Sequence, residues 1–257
     1  MFMAEHDHSA VLEQFRQQES VFRELYALHE KDALDMYFES LRNLGNVFQL
    51  GDRCFRCIDE RTPGGIHAAG PVILFDKAKG IDMLKRARAE GIYSHVGCGA
   101  AGIAFESLSD NMKKFYVNSD NYGMFYAKRI AKEAGIPYMG HLGVETHFHV
   151  ARMAIYDGTG CLDSSKLGAI GLPPAFVISR RYHAESATAM REASIAAAIA
   201  TGSHGYGSLI KDRTPFILLA VGTKHKESSL NAMMDEAKEV AKDFDGKVIV
   251  DGFVAPV

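Results

Sequence analysis

The sequence has no long hydrophobic run and no excess of charge of one sign. Its 257 residues carry 29 Lys and Arg against 32 Asp and Glu, so it presents no electrostatic surface for a nucleic-acid backbone or an anionic membrane. No stretch is long and apolar enough to span a bilayer. The first residues include acids and histidines where a signal peptide has a basic start and an apolar run. We therefore expect a cytoplasmic protein that binds neither nucleic acid nor membrane.

Cysteine is also scarce. Four cysteines in a chain of this length do not make a disulfide framework, and a reducing compartment keeps them as thiols. Their possible roles are then packing, metal binding or catalysis. Cys161, in the glycine-rich stretch YDGTGCLD, is most simply a turn or core thiol. Cys54, Cys57 and Cys98 remain as candidates for chemistry.

Internal repeats, low-complexity tracts and Pro/Ser-rich linkers are absent from the sequence, which predicts a single domain over 1–257. Helical spacing of apolar residues over 9–46 predicts an N-terminal arm of two or three amphipathic helices. Beyond this arm, short apolar runs alternate with helical stretches, as is typical of an α/β fold with a mostly parallel sheet flanked by helices. The predicted strands are 54–59, 92–96, 137–142, 153–156, 175–179, 216–221 and 248–250. The predicted helices are 77–90, 122–134, 185–201 and 229–244.

Two short motifs carry metal-binding residue types. In CIDER, an extended backbone as far as Arg61 would direct the side chains of Cys57, Asp59 and Arg61 to one face. In YSHVGCGAAG, His95 and Cys98 follow another short apolar segment, at a predicted strand-to-helix turn. Together Cys57, His95 and Cys98 make a Cys2His set, which is a ligand combination of catalytic zinc sites.

The charges of this set suit chemistry. Two thiolates and a neutral imidazole leave a bound Zn²⁺ formally neutral, so the fourth ligand can be water, with its pKa lowered toward about 7. Asp59 could itself be a displaceable fourth ligand, or it could accept a hydrogen bond from that water. A charge-assisted pair with Arg61 would hold Asp59 off the metal and keep it ionised.

These motifs resemble a known family. CIDER matches the CxDxR motif, and HVGCG the HxxCG motif, of the β-class carbonic anhydrases, in the family's order. IHAAG at 66–70 and MAIYDGTGCLD at 153–163 resemble further family segments, so the resemblance covers about 9 to 163. Residues 52–163 would then form a zinc-site core, and 164–257 a C-terminal α/β extension that resembles nothing in the family.

The resemblance implies both a site and a reaction. It implies zinc ligands at Cys57, His95 and Cys98, with Asp59 and Arg61 as a gating pair, and Gln49 and Gly99 on the substrate side. The implied reaction is attack of zinc-bound hydroxide on carbon dioxide to give bicarbonate. The family's habit of packing helical arms across an interface implies a homodimer or a dimer of dimers.

The sequence departs from the family pattern at several points. Glu60 stands where the family usually has serine, and His67 where it often has arginine. The extra carboxylate of Glu60 could pair with Arg61 or point away from the metal. There is no tryptophan, so we do not expect the allosteric bicarbonate pocket of some family members.

Alternatives to this interpretation stay open. The same zinc site could hydrolyse carbonyl sulfide or carbon disulfide, or Asp59 could close it into a non-catalytic zinc site, which an Arg61 turned away from Asp59 would favour. In a metal-free fold, Cys57 and Cys98 would be core thiols. Cys54 and Cys57 form a CxxC, but positions i and i+3 of a strand face opposite sides, so packing is the better interpretation of Cys54. A histidine cluster competes for a metal but is more simply hydrogen-bonded or surface-exposed: His141, His147 and His149.

Overall fold

The computed structural model of the chain describes residues 8–144, 148–224 and 229–257. It has two four-stranded parallel sheets flanked by helices, which confirms the predicted α/β class. The first sheet has the order β2-β1-β3-β4 and consists of β1 (Cys54–Arg56), β2 (Ile66–His67), β3 (Gly91–His95) and β4 (Tyr138–Leu142). The second has the order β6-β5-β7-β8 and consists of β5 (Met153–Asp157), β6 (Phe176–Ile178), β7 (Phe216–Gly222) and β8 (Val248–Val254).

Ten α-helices surround these sheets in the described part of the chain. Those of the arm are α1 (His8–Gln17), α2 (Glu19–His29), α3 (Leu34–Ser40) and α4 (Leu44–Val47). Those that connect the strands are α5 (Lys77–Arg86), α6 (Gly99–Glu106), α7 (Asp110–Tyr116), α8 (Ser119–Ala134), α9 (Ser186–Thr201) and α10 (Leu230–Ala241). None of the helices in the described ranges combines the length and the apolar character that crossing a membrane requires.

The two sheets repeat one connectivity. In each, the second strand lies at one edge beside the first, and the third and fourth strands follow on the other side. The edges β2 and β6 adjoin, because Ser179 N donates to His67 O (3.2 Å) and His67 N donates to Ser179 Oγ (3.0 Å). The two halves share the order of their strands but not their amino-acid sequence. Strands that are buried on both faces need apolar side chains, but not the same ones, so the sequence shows no internal repeat. Strand β5, which the resemblance assigns to the zinc-site core, belongs to the second sheet.

The N-terminal arm packs on this second sheet. Phe38 of α3 stacks on Phe253 of β8 with ring centroids 4.4 Å apart. Tyr26 Oη donates to Pro215 O (2.6 Å), and His29 Nδ1 contacts Asp251 Oδ2 (2.7 Å). The apolar faces of α2 and α3 are therefore covered within the chain itself.

Several elements of the first half differ from the prediction: the arm has four helices rather than two or three, and neither β2 nor α7 was predicted. Strand β1 ends at Arg56 rather than at Asp59, where the sequence predicted its end. Helix α6, with the sequence GAAGIAFE, escaped prediction because its small and apolar residues give no amphipathic pattern. The parallel strands β1 and β3 are neighbours, so their carboxyl ends meet at one edge of the sheet, where ligands bind in open α/β folds.

Candidate metal centre

Cys57, His95 and Cys98 converge at this edge. One ligand atom from each lies within 4.8 Å of the other two, and all three side chains are buried. The Sγ atoms of Cys57 and Cys98 are 3.9 Å apart. Two sulfurs bound to one tetrahedral zinc at about 2.3 Å lie about 3.8 Å from each other. The spacing of the two thiols therefore fits a shared metal ion without rearrangement.

Local backbone structure brings the three ligands together. Cys57 follows β1, His95 ends β3, and Cys98 precedes the first residue of α6. Between His95 and Cys98 the chain turns at Gly97, whose φ of +67° favours glycine. Gly97 N donates to Asp120 Oδ1 (2.8 Å), which holds this turn against α8.

The imidazole of His95 is oriented for coordination. Its Nδ1 donates to the carbonyl oxygen of Val96 (2.9 Å), so the other ring nitrogen, Nε2, carries the lone pair. Nε2 is buried and is one of three buried side-chain atoms without a hydrogen-bond partner among the described residues. Buried polar atoms are nearly always paired, and a metal ion would satisfy this one. The donor set present thus fits a metal.

The loop after β2 supports Cys57. Gly70 N donates to Cys57 Sγ (3.3 Å), an interaction that favours the thiolate. Gly70 has a φ of +56°, and a Cβ there would lie 2.4 Å from Ile73 Cγ2 and 3.3 Å from Cys98 Sγ, so the loop requires glycine. The preceding residue, Ala69, donates its N–H to Glu192 Oε1 of α9 (2.7 Å).

Glu192 and its partner were missed in the sequence. Glu192 Oε2 contacts His183 Nε2 (3.0 Å), and both side chains are buried. This buried pair lies in the C-terminal half of the chain, and it holds the loop that contacts Cys57. Glu192 and Ala69 are 123 positions apart, so no local pattern could have indicated their contact.

The Cys57 thiol has a raised pKa when no metal ion is bound. The hydrogen bond with Cys98, burial and the proximity of the Cys98 thiol raise the pKa of Cys57 well above its ordinary value. Metal ligation requires the thiolate, so a metal must displace this proton to bind.

Asp59 and Arg61 form a close ion pair beside the ligands. Arg61 Nε donates to Asp59 Oδ1 (2.8 Å) and Arg61 Nη2 to Asp59 Oδ2 (2.5 Å). The same Oδ2 is 3.8 Å from His95 Nε2. Burial alone would raise the pKa of Asp59, but hydrogen bonds from Arg61 and the electrostatic influence of the nearby His95, His149 and Arg61 side chains lower it to about 2. Asp59 is therefore ionised and directed toward the metal ligands.

The geometry that pairs them differs from the prediction. The expected extended backbone from Cys57 to Arg61 is wrong, because Asp59 Oδ1 accepts a hydrogen bond from Arg61 N (3.0 Å) and closes a turn. The turn folds Arg61 back onto Asp59. Arg61 thus donates hydrogen bonds to both carboxylate oxygens.

Glu60 forms a hydrogen bond with His149, a contact that the sequence did not indicate. Its Oε2 accepts a hydrogen bond from His149 Nδ1 (2.9 Å), and its Oε1 accepts one from Val150 N (2.8 Å). His149 Nε2 in turn accepts a hydrogen bond from Arg61 Nη2 (3.3 Å). A chain of contacts therefore runs from Glu60 through His149 and Arg61 to Asp59.

Asp59, Glu60 and His149 also have three potential ligand atoms within 4.8 Å of one another. The Arg61 guanidinium contacts two of them, and Glu60 and His149 use their facing atoms on each other. A cation here would break these bonds and lie against a guanidinium, so we interpret the group as a hydrogen-bonded support. Of the other predicted histidines, His141 Nδ1 contacts Ser94 Oγ (2.7 Å), and His147 lies outside the described residues.

His67 fixes the backbone of Cys57. Its Nδ1 donates to Cys57 O (2.6 Å), and its Nε2 accepts from Ser164 Oγ (3.0 Å), which itself accepts from Gly64 N (2.7 Å). Burial lowers the pKa of His67 to about 4, so it is neutral at pH 7. His67 is therefore a neutral, buried residue that holds the backbone of Cys57.

The remaining predicted site residues lie around this cluster. Gly99 is the first residue of α6, directly after Cys98. Gln49 is exposed, and its carbonyl oxygen accepts a hydrogen bond from Lys166 Nζ. Their roles in substrate binding stay predictions. Cys54 is buried in β1, and burial raises the pKa of its thiol to about 11, which disfavours the thiolate that redox chemistry needs.

Comparison with known proteins gives no relative for this fold and site. No family model matches the chain, and neither a curated protein nor a solved structure matches it. What defines the protein is thus its own architecture: two parallel sheets and a buried Cys2His cluster, with an ionised aspartate beside it, that could hold a metal ion.

Proposed function

We propose that the protein is a zinc enzyme that reversibly hydrates carbon dioxide to bicarbonate and a proton. The observation that carries the proposal is the buried, unpartnered Nε2 of His95, adjoining two thiols whose sulfurs are 3.9 Å apart. Two sulfurs and one imidazole nitrogen favour Zn²⁺ over the harder Mg²⁺ and Ca²⁺. The CxDxR and HxxCG motifs add the resemblance to β-class carbonic anhydrases.

Zn²⁺ held by Cys57, His95 and Cys98 would supply a Lewis acid that makes water a nucleophile at neutral pH. Asp59 contributes a fixed negative charge, with one oxygen 3.8 Å from His95 Nε2. This charge favours a bound molecule that donates a hydrogen bond to the Asp59 carboxylate. Burial of the ligands and of Asp59 limits competing contact with solvent.

The state of Arg61 supports an enzyme rather than a closed structural zinc site. In a closed structural site, the zinc ion would be the cationic partner of the Asp59 carboxylate, and a guanidinium would compete with the zinc for the same oxygens. Here Arg61 contacts both oxygens of Asp59, at 2.8 and 2.5 Å, and its side chain is only 10% exposed. Such a buried bidentate pair holds the carboxylate in one place.

Stopped-flow measurement of carbon dioxide hydration, with zinc analysis of the same samples, tests the proposal. We expect hydration to rise from about pH 6 to about pH 9, because zinc would lower the pKa of a water molecule into this range. Cys98→Ser should lose both zinc and activity, and Cys161→Ser, which changes a thiol outside the cluster, should keep both. Stoichiometric zinc without hydration at alkaline pH would contradict the proposal, and a parallel assay with carbonyl sulfide decides between the two substrates.

The assembly and the location expected from the sequence stay part of this proposal. The homodimer or dimer of dimers rests on the resemblance alone, because the apolar faces of α2 and α3 pack within the chain. The cytoplasmic location rests on composition and on the reduced cysteines that a metal site requires.

A further inference from the structure

A second feature of the molecule lies away from the candidate metal centre. A cavity of about 610 Å³ is lined by four arginines and a tyrosine: Arg53, Arg86, Arg88, Arg181 and Tyr182. No carboxylate of the described residues is among its lining groups. This volume is in the range of small-molecule sites. The net charge of the chain is −3, so such a local excess of guanidinium groups is not a general property of its surface.

The cavity is formed where the two halves meet. Arg53 precedes β1, and Arg86 and Arg88 lie at the end of α5, in the first half. Arg181 and Tyr182 follow β6, in the second half. The metal ligands lie at the carboxyl ends of β1 and β3, whereas Arg53 lies at the amino end of β1. The cavity is therefore separate from the metal centre.

Part of this cavity is held rigidly. Arg53 donates from Nε to Ala87 O (2.8 Å) and from Nη2 to Tyr182 Oη (3.0 Å). Tyr182 Oη in turn donates to Gly160 O (2.8 Å), in the loop that follows β5. The Arg53 guanidinium also lies 5.8 Å from the centroid of the Tyr182 ring. Arg53 and Tyr182 therefore form a fixed wall of the cavity.

The other three arginines are exposed side chains. Arg86 pairs with Asp82 at 2.8 Å, but both side chains are well exposed, and such pairs contribute little. Arg88 follows α5 and has a φ of +50°, a conformation in which glycine is usual. Arginine is therefore conformationally unfavourable at this position. The described residues that line the cavity thus include four guanidinium groups and no carboxylate.

We infer that this cavity binds a small anion with two or more linked phosphate groups. Guanidinium groups match phosphate oxygens with paired hydrogen bonds, and several of them need more negative charge than one carboxylate or one orthophosphate supplies. The arginines line one concave cavity rather than a stripe along the surface. This shape favours a small ligand over a nucleic-acid strand.

Calorimetric titration of the zinc-loaded protein with inorganic pyrophosphate tests the inference. We expect one pyrophosphate per chain, bound at least about tenfold more tightly than orthophosphate at equal ionic strength. Arg181→Gln and Arg88→Gly should each weaken pyrophosphate binding about tenfold. Arg88→Gly should also raise thermal stability, because glycine tolerates the positive φ, so its loss of binding could not be assigned to misfolding. Arg42→Gln, an exposed arginine outside the cavity, is the matched control.

Two further titrations test whether pyrophosphate binds away from the metal centre and whether the natural ligand is a nucleotide. Cys98→Ser, which should lack the metal, should bind pyrophosphate as well as the native protein does. Adenosine triphosphate that binds more tightly than pyrophosphate, and loses affinity in the same variants, would support a nucleotide as the source; equal affinities would support the phosphates alone. The inference is overturned by absence of pyrophosphate binding at millimolar concentration, by equal weakening in Arg42→Gln, by loss of binding in Cys98→Ser, or by binding of oligonucleotides alone.

Discussion

At the scale of single residues, the proposed function depends most on the pair of Asp59 and Arg61. Arg61→Ala removes both side-chain hydrogen bonds from Asp59 and frees the carboxylate to ligate the metal. We expect the variant to keep zinc and to lose at least about a hundredfold in kcat for carbon dioxide hydration. Arg129→Ala, which breaks an exposed ion pair on α8, is the control and should retain full activity. Unchanged turnover in Arg61→Ala would refute the gating role.

Glu60 and His149 should influence the same step through Arg61. Glu60→Gln retains an acceptor for Val150 N but presents an amide to His149 Nδ1, which disturbs the ring's contact with Arg61. We expect kcat to fall by about tenfold in Glu60→Gln and His149→Ala, a smaller loss than in Arg61→Ala, with zinc retained. Equal kcat in native protein and both variants would leave the pair without a functional role.

Zinc affinity should depend strongly on pH. The pKa of Cys57 is raised, so its thiol is protonated at neutral pH in the metal-free protein and must lose that proton when the metal binds. The apparent affinity should rise by about tenfold to about a hundredfold per pH unit, for one or two displaced protons. Competition with a chelator between about pH 6 and about pH 8 measures this slope. A flat profile would mean that no thiol proton is displaced.

Much of the site was predictable at this scale because its residues form two short motifs. Cys57, Asp59 and Arg61 lie within one pentapeptide, and His95 and Cys98 within another. The contact that Glu60 makes was not predictable, since its partner His149 is 89 positions away in sequence. The turn at Asp59 was also missed, because it depends on a hydrogen bond from side chain to backbone rather than on an apolar period.

Elements were predictable where apolar periodicity is strong. Strands β3 to β8 and the four long connecting helices follow the predicted positions within a few residues. Strand β2 has two residues, too few for any period, and α6 lacks a polar face. The pairing of the N-terminal arm with the second sheet requires long-range contacts that no local pattern encodes.

Arg152 should be the main attachment of that arm. It is fully buried, donates to Glu19 Oε2 (3.1 Å) and Tyr26 Oη (3.2 Å), and lies 3.8 and 4.3 Å from the ring centroids of Phe15 and Phe22. Its truncation leaves a cavity, and it removes these hydrogen bonds and cation-π contacts. Arg152→Ala should therefore lower the free energy of unfolding by about 3 kcal/mol, measured by urea denaturation.

Arg23 provides a matched control for this measurement. It pairs with the same carboxylate, Glu19, at 3.0 Å, but its side chain is 77% exposed. Arg23→Ala should cost less than about 0.5 kcal/mol. Similar losses in Arg23→Ala and Arg152→Ala would show that the buried contacts do not attach the arm.

At the scale of the whole molecule, the two sheets have the same strand connectivity but carry different groups of side chains. The first sheet brings two thiols and an imidazole to its carboxyl edge, and the described residues contain no second group of this composition. The second sheet instead carries the N-terminal arm and, through α9, supports the loop at Cys57. We therefore expect one zinc ion per chain rather than two.

X-ray absorption at the zinc edge, on purified protein at about pH 8, tests the central claim most directly. The account predicts one zinc per chain, with two sulfur neighbours at about 2.3 Å and the remaining neighbours nitrogen or oxygen at about 2.0 to 2.2 Å. Cys98→Ser should lose the metal. A zinc shell of nitrogen and oxygen alone, or protein without zinc after purification in its presence, would contradict the account.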